Sequence, residues 1–441
     1  MHQNSQRLAT TTAQFSIWVA QLDDENSPGF WTAETVELTG ELDVVAFQTT
    51  VREVLDHCHT LHMRFEWEAG TLWQHPQPAN TQVQWLDFSG QPDPALAAHD
   101  WIAAAVAQPC DVTQDALYAT ALLKVSPTQH WWYLQVHHIV LDGFGYSLVQ
   151  QAVAQRYNAR VRQQPLPGLP DWQLHKVIEA EVTYKQNGGF EQDRDFWLQH
   201  LSDVPPLVEL EPLCEPSAEP IRQHLELTQQ EVTGLQTAAR VTGGDWAAWM
   251  LSAIGLWMGK QANLRHFTIG MPVMNRLGTP AVGVPCMAMN IVPLSMRLEA
   301  EDSLQALVQA TGQQLRAIRP HLYYRYGWMR RDLGLFETDT FLFNQAVNLM
   351  PFDRQVSFAG VQSRMRPVTG GPVKDFNIAL VVLNNVWQLT LEANANAYQA
   401  DAIAAMARNL HQWLNQLVQT APGVGLAELL PDLFLAEIEG V

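Results

Sequence analysis

The chain has 441 residues, of which 47% are hydrophobic, enough for two or three compact units. Its 26 Lys and Arg stand against 45 Asp and Glu, and a net charge of -19 excludes a nucleic-acid backbone as the main partner. Cys58, Cys110, Cys214 and Cys286 are scattered and form no CxxC pair, so neither a disulfide framework nor a structural zinc site is expected.

The opening residues, MHQNSQRLATTT, lack the apolar stretch of a signal peptide, which points to a cytoplasmic protein with reduced thiols. Asp43 can cap a helix that carries Phe47, Val51, Val54 and Leu55 at helical spacing, and HMRFEWEAGTLWQHP then reads as a hairpin turning near Gly70. In DHCHTLH only His59 and His62 share a helical face, so solvated helix-end histidines are expected there rather than metal ligands. A helix over 96–106 leads to the strand LYATALLKV, a Ser-Pro turn, and a second strand, HWWYLQVHH. After it, FGYSLVQQAVAQRYNARV places Leu148, Val149, Ala152, Val153 and Tyr157 on one helical face.

From 202 to 220 the chain is rich in proline and acid and has no periodicity, which predicts a linker between parts at 1–201 and 221–441. The most apolar segment, AAWMLSAIGLWMG at 247–259, is shorter than the about 20 residues needed to cross a bilayer, so it reads as a buried helix and no membrane span is expected. The second half mixes the helical patterns LQALVQATGQQLRAI and DAIAAMARNLHQWLNQLV with the β-rich runs HFTIGMPV, NIVPLSM and NIALVVL. Each half is therefore expected to be an α/β sandwich with helices covering a sheet.

The most informative stretch is VHHIVLDGF, residues 136–144. Strand alternation puts Trp132, Leu134, Val136 and His138 on one face and Tyr133, Gln135 and His137 on the other, so His138 leaves the sheet on its apolar side. An imidazole there is withdrawn from water and its neutral form is available as a base. Asp142 and Gly143 make the turn into the next helix. A metal site would need a third ligand nearby, and neither HExxH nor a Cys/His cluster accompanies the stretch, so no metal is expected.

HHIVLDG resembles the active-site motif of nonribosomal peptide synthetase condensation domains, which are acyltransferases related to chloramphenicol acetyltransferase. TAQFSIW, FWTAETVELTGELD, LHMRF, DFWLQHL, IGMPVMNR, MNIVPLSMRL and FNQAVNLMPF fall where that family has its other core motifs, so the likeness covers essentially the whole chain. The resemblance implies two acetyltransferase-like sandwich subdomains in a V with a central tunnel and His138 at its middle. It further implies an amide-forming reaction between a thioester, carried on the phosphopantetheine of an acyl or aryl carrier protein, and an amine that is free or held by a peptidyl carrier. The domain itself would bind no cofactor and act as a monomer, with a siderophore or other nonribosomal peptide as the end product.

By the same likeness His138 is base or positioning residue and Gly143 N–H is an oxyanion donor. Arg276 should pair with Asp142, making that aspartate, beside His137, a structural brace joining the two halves rather than a second base. His62 replaces an arginine usual in the family. His62, Asn290, His321, Tyr324, Asn348 and Asp375 are expected near the tunnel, and Arg330 and Arg331 are candidates for docking an acidic carrier. Because Met1 stands a dozen residues before the first motif, a starter position with the donor arriving in trans is expected. Two rivals remain at this point: an acyl-CoA-dependent O-acyltransferase of the wax-ester synthase type, which also carries HHxxxDG, and a silent domain that only binds carriers.

Overall fold

The computed structural model describes residues 7–22, 28–203, 205–215, 217, 220–335, 340–350 and 354–438, with side chains to 435. Parts of the 202–220 stretch and the Pro351 and Phe352 that end FNQAVNLMPF lie outside the described residues. Two compact units form, one from Met1–Gly188, Met274–Met289 and Arg354–Pro372, the other from Gly189–Val273, Asn290–Asp353 and Val373–Val441.

The first unit contains a five-stranded sheet in the order Val361–Gly370, Trp31–Gly40, Gln129–His137, Tyr118–Ser126, Val83–Asp87, antiparallel except for the last pair. The histidine strand is thus central and buried on both faces. Trp132, Leu134 and Val136 pack with Phe47, Val51 and Val54 of the helix Val44–His57 and with Val149, Val153 and Tyr157 of the helix Gly143–Val161. Trp131 and Tyr133 meet Ala98 and Ile102 of the helix Pro94–Val106 on the other side. Asp43 does cap its helix, accepting from Ala46 N–H at 2.9 Å. The expected hairpin pairs Met63–Glu68 with Thr71–Pro76, and Ala69 and Gly70 both take positive φ, as a tight two-residue turn requires.

The second unit is a six-stranded mixed sheet in the order Asn290–Arg297, His266–Val273, Ala346–Met350, Phe376–Leu383, Val386–Ala393, Ile221–Leu227. The apolar segment near 247 is a helix, Trp246–Ala262, capped by Asp245 and buried along almost its whole length, and it packs within this unit. None of the described helices is long and apolar enough to cross a membrane.

The expected division at 201 and 221 is corrected in three places. The helix Gly189–His200 joins the second unit, because Trp197 is buried in that core and donates its indole N–H to His321 O at 2.9 Å. Residues 274–289 and 354–372 join the first. Phe358 lies edge-on to Trp132 and Tyr157 and tilted against Phe47, at 6.5, 5.9 and 5.5 Å, contacts worth about 0.5–1.5 kcal/mol each beyond area burial. Asn158 fastens the same segment, donating to Ser357 O at 2.8 Å and accepting from Ala359 N at 2.6 Å. The described residues of the stretch read as a linker are irregular but not loose. Val208 is buried and its carbonyl accepts from Gln345 at 2.8 Å, while Asn394 donates to Cys214 O and Glu215 O.

Candidate active site

The sheet runs directly into the HHxxxDG turn. His137 pairs with Trp31 in register, His138 N–H donates to Phe30 O at 2.8 Å, and Val140 N–H returns to His137 O at 3.0 Å. The backbone of both histidines is therefore fixed by strand-type bonds on one side and a tight turn on the other.

The two rings then diverge. His137 is buried among Phe30 and Trp31, and its Nδ1 accepts from Ile139 N at 3.3 Å. Burial first, and His138 second, lower its pKa to about 3, so it stays neutral. His138 is half-buried, and its Nδ1 lies 3.0 Å from Leu141 O. A carbonyl can only accept, so that bond requires the proton on Nδ1 and leaves the lone pair of the neutral ring on Nε2. Gly371 closes one side of the ring: with φ +111°, it puts the position a Cβ would take 3.6 Å from His138 Cδ2.

Asp142 is fully occupied. It caps the helix Gly143–Val161 by accepting from Gly145 N at 2.9 Å, takes Arg276 Nη2 at 2.7 Å on the same oxygen, and receives Ala288 N and Met289 N at 3.0 Å on the other. Arg276 is completely buried, with side-chain exposures of 0% and 2% for the pair, and donates further to Val284 O, Cys286 O and Ala281 O while covering the Phe144 ring at 5.0 Å. The carboxylate holds residues 274–289 against the helix start and has no oxygen left for proton transfer. Arg276 belongs to the same unit as Asp142, so the bond braces the first unit from within and does not join the two halves.

Gly143 is the first residue of the helix and is exposed. At that position the N–H has no partner within the helix and carries the positive end of the helix dipole. The chain beyond it is rigid: a Cβ on Gly145 would lie 2.4 Å from Leu141 Cδ1, and Tyr146 donates its hydroxyl to Thr32 O at 2.7 Å. The Gly143 carbonyl accepts from Arg354 Nη1 at 2.8 Å. Arg354 also pairs with Glu34 at 2.6 Å, and Gln150 donates to the other Glu34 oxygen at 2.8 Å. Arg354, Glu34 and Gln150 were missed in the sequence because the bonds join residues up to 320 positions apart. Gly145 was within reach, since it stands three residues after a capping aspartate.

The other residues expected at the site have local partners. His62 is not a solvated helix-end histidine: it is buried, reaches Leu55 O at 2.9 Å at the end of the helix Val44–His57, and meets Tyr118 edge-on, and burial lowers its pKa. Asn290 donates to Leu322 O and Tyr324 O at 2.8 and 2.9 Å. His321 Nδ1 is 2.7 Å from Asp193 and its ring stacks on Phe196 at 3.9 Å. Tyr324 is buried and donates to Asp332, with its phenol pushed far above the ordinary range chiefly by burial. Asp375 is buried, accepts from Tyr398 at 2.5 Å and from Gln345, and is raised by burial. Asn348 is half-buried in the strand Ala346–Met350. Arg330 reaches Thr340 O and Leu335 O at 3.1 Å, and Arg331 pairs with Asp332 at 2.7 Å. Among the described residues no three His, Cys, Asp or Glu gather as a metal site, and all four cysteines are free.

Known proteins resemble this chain along most of its length. The dimodular nonribosomal peptide synthase of Bacillus subtilis (strain 168) is 33% identical over 95% of the chain, and enterobactin synthase component F of Escherichia coli (strain K12) is 28% identical over 93%. The chain spans only 18% and 32% of the lengths of those two relatives. A crystal structure of a mutant starter condensation domain of rhizomide synthetase, in complex with C8-CoA and Leu-SNAC, superposes with a TM-score of 0.88 at 26% identity, covering 95% of this chain and 96% of that one. The condensation domain profile matches residues 4–432, and with the helix-capping Asp142–Arg276 brace and the exposed Gly143 in place, the chain belongs to the condensation domain family.

Proposed function

We propose that this chain joins a carrier-bound acyl or aryl thioester to an amine in the assembly of a nonribosomal peptide or siderophore. The observation that carries the reading is the His138 ring, whose Nδ1–H is tied to Leu141 O so that Nε2 keeps its lone pair. The amine nitrogen attacks the thioester carbonyl carbon and forms the C–N bond, with His138 Nε2 holding and removing the amine proton. The oxyanion that develops lies toward Gly143 N–H at the helix start. Collapse breaks the C–S bond, and the pantetheine thiolate leaves with the proton returned from His138. Asp142 acts as scaffold and takes no part in the proton transfer.

The family and the relatives support this substrate class, since enterobactin synthase component F and the vanchrobactin synthetase of Vibrio anguillarum are both siderophore synthetases by name. On this reading the phosphopantetheine is part of the donor, supplied by an acyl or aryl carrier protein in trans, and the acceptor is an amine that is free or held by a peptidyl carrier. His62, Asn290, His321, Tyr324, Asn348 and Asp375 are placed toward substrate on this reading only by family likeness.

The test is a single-turnover reaction of loaded donor carrier with candidate amines, quenched and analysed for product. Wild type gives the amide, and His138→Ala slows its formation about 100- to 10,000-fold. An ester formed from an alcohol instead would favour the O-acyltransferase. Carrier binding without product would favour a silent domain.

A further inference from the structure

We propose that Arg354 is a positioning residue of the amide-forming site, holding the Gly143 peptide so that its N–H stays aimed at the developing oxyanion. The inference rests on the amide-forming reading above and goes beyond it, because it gives a task to a buried ion pair outside the HHxxxDG motif.

A backbone N–H works as an oxyanion donor only if the peptides on both sides of it are fixed before the charge appears. On the N-terminal side the four bonds to the Asp142 carboxylate do this. On the C-terminal side the Gly143 carbonyl receives a charged bond from Arg354 Nη1 at 2.8 Å, in addition to Ser147 Oγ at 3.4 Å. The guanidinium is held in turn. Its Nη2 is 2.6 Å from Glu34, and the other oxygen of Glu34 accepts from Gln150 at 2.8 Å. One planar fork therefore ties the strand Trp31–Gly40, the helix Gly143–Val161 and the segment beginning at Arg354 to a single exposed glycine.

Two features separate this from a purely structural salt bridge. Both side chains are only 9% exposed, and a buried pair of this kind is a poor source of stability because desolvation offsets the attraction. Moreover, the guanidinium stands directly beside the residue whose N–H is the proposed oxyanion donor: a Cβ on Gly143 would sit 3.7 Å from Arg354 Nη1. Lysine keeps the charge but not the fork that reaches Glu34 and the Gly143 carbonyl together.

The experiment measures the single-turnover rate, donor affinity and melting temperature for wild type, Arg354→Met, Arg354→Lys, and the double variant Glu34→Gln with Arg354→Met, with His138→Ala run alongside. Arg354→Met is expected to slow the bond-forming step about 10- to 100-fold while donor affinity changes less than about twofold, and Arg354→Lys to recover part of the rate. Arg354→Met also strands Glu34 and lowers the melting temperature. The double variant removes both charges and is expected to regain the melting temperature but not the rate. A double variant that regains both overturns the proposal, and so does an Arg354→Met protein with the wild-type rate. If wild type forms no amide at all, or His138→Ala forms it as fast, the functional reading fails first and takes this inference with it. An active, His138-dependent enzyme indifferent to Arg354 sinks only the inference.

Discussion

His138 and Asp142 lie four residues apart in the first unit, yet the ring bonds to Leu141 O and the carboxylate to Arg276 and three backbone N–H groups. In the second unit His321 and Asp193 lie 128 residues apart and meet directly at 2.7 Å, with the ring flat against Phe196. The same two residue types take separate partners in one place and bond directly between a helix and a turn in the other. What decides is who occupies the carboxylate. Where an arginine and backbone donors saturate it, the histidine is oriented by a neutral carbonyl; where they do not, the ring pairs with the carboxylate itself.

The sharpest way to break this contrast is to remove each carboxylate. Asp142→Ala strands a fully buried guanidinium and is expected to cost about 3–5 kcal/mol in urea unfolding, and to slow amide formation as the helix start loosens. Asp193→Ala loses one charged hydrogen bond and is expected to cost about 1.5–3 kcal/mol. It should leave the bond-forming step within about twofold of wild type, the scatter expected of a change away from the chemistry. An Asp193→Ala enzyme as slow as Asp142→Ala would place His321 with the chemistry after all.

The two glycines of the turn make a smaller, cleaner contrast. Gly145→Ala drives a methyl group to 2.4 Å from Leu141 Cδ1 and should cost about 1–3 kcal/mol by overpacking. Gly143→Ala meets only Arg354 at 3.7 Å, so its melting temperature should stay close to wild type while the new methyl obstructs the oxyanion side and the rate falls. Calorimetry and the single-turnover assay together read both effects. A Gly143→Ala enzyme at full rate would show that a methyl there does not obstruct the oxyanion side, since alanine keeps the same N–H.

A pH-dependent effect concerns His137. Its pKa is about 3 in the folded chain against 6.5 unperturbed, so between those values the unfolded chain binds a proton that the folded chain does not. Its contribution is complete above about pH 6.5 and is lost as pH falls toward 3, at up to about 1.4 kcal/mol per pH unit. His62 and His130 are also lowered by burial and act in the same direction. The difference between wild type and His137→Leu isolates the one ring: urea midpoints at pH 5 and pH 7 should lie closer together in the variant. Equal spacing in the two proteins would mean that His137 is not held neutral.

Local patterns showed much of this in the sequence. The Asp43 cap, the hairpin at Gly70, the alternating histidine strand and the helix after Gly143 all follow from spacing and capping within a few residues. The Asp142–Arg276 bond, spanning 134 positions, came from family likeness alone. What local pattern could not show is tertiary. Segment 354–372 belongs to the first unit because Asn158 and the Phe47, Trp132 and Tyr157 rings hold it there, and such contacts leave no periodic trace. His62 looked like a solvated residue at a helix end, but its ring is folded in to cap Leu55 O. Glu34 is one more polar residue on a buried strand until Arg354 arrives.

The central claim is a statement about one proton. Nitrogen-15 NMR of ring-labelled protein, with the His138 signals assigned by their absence in His138→Ala, reads which nitrogen carries the hydrogen. A neutral ring protonated at Nδ1 and bare at Nε2 is the predicted result. A ring protonated at Nε2 would contradict it, since no lone pair would then remain there to receive the amine proton.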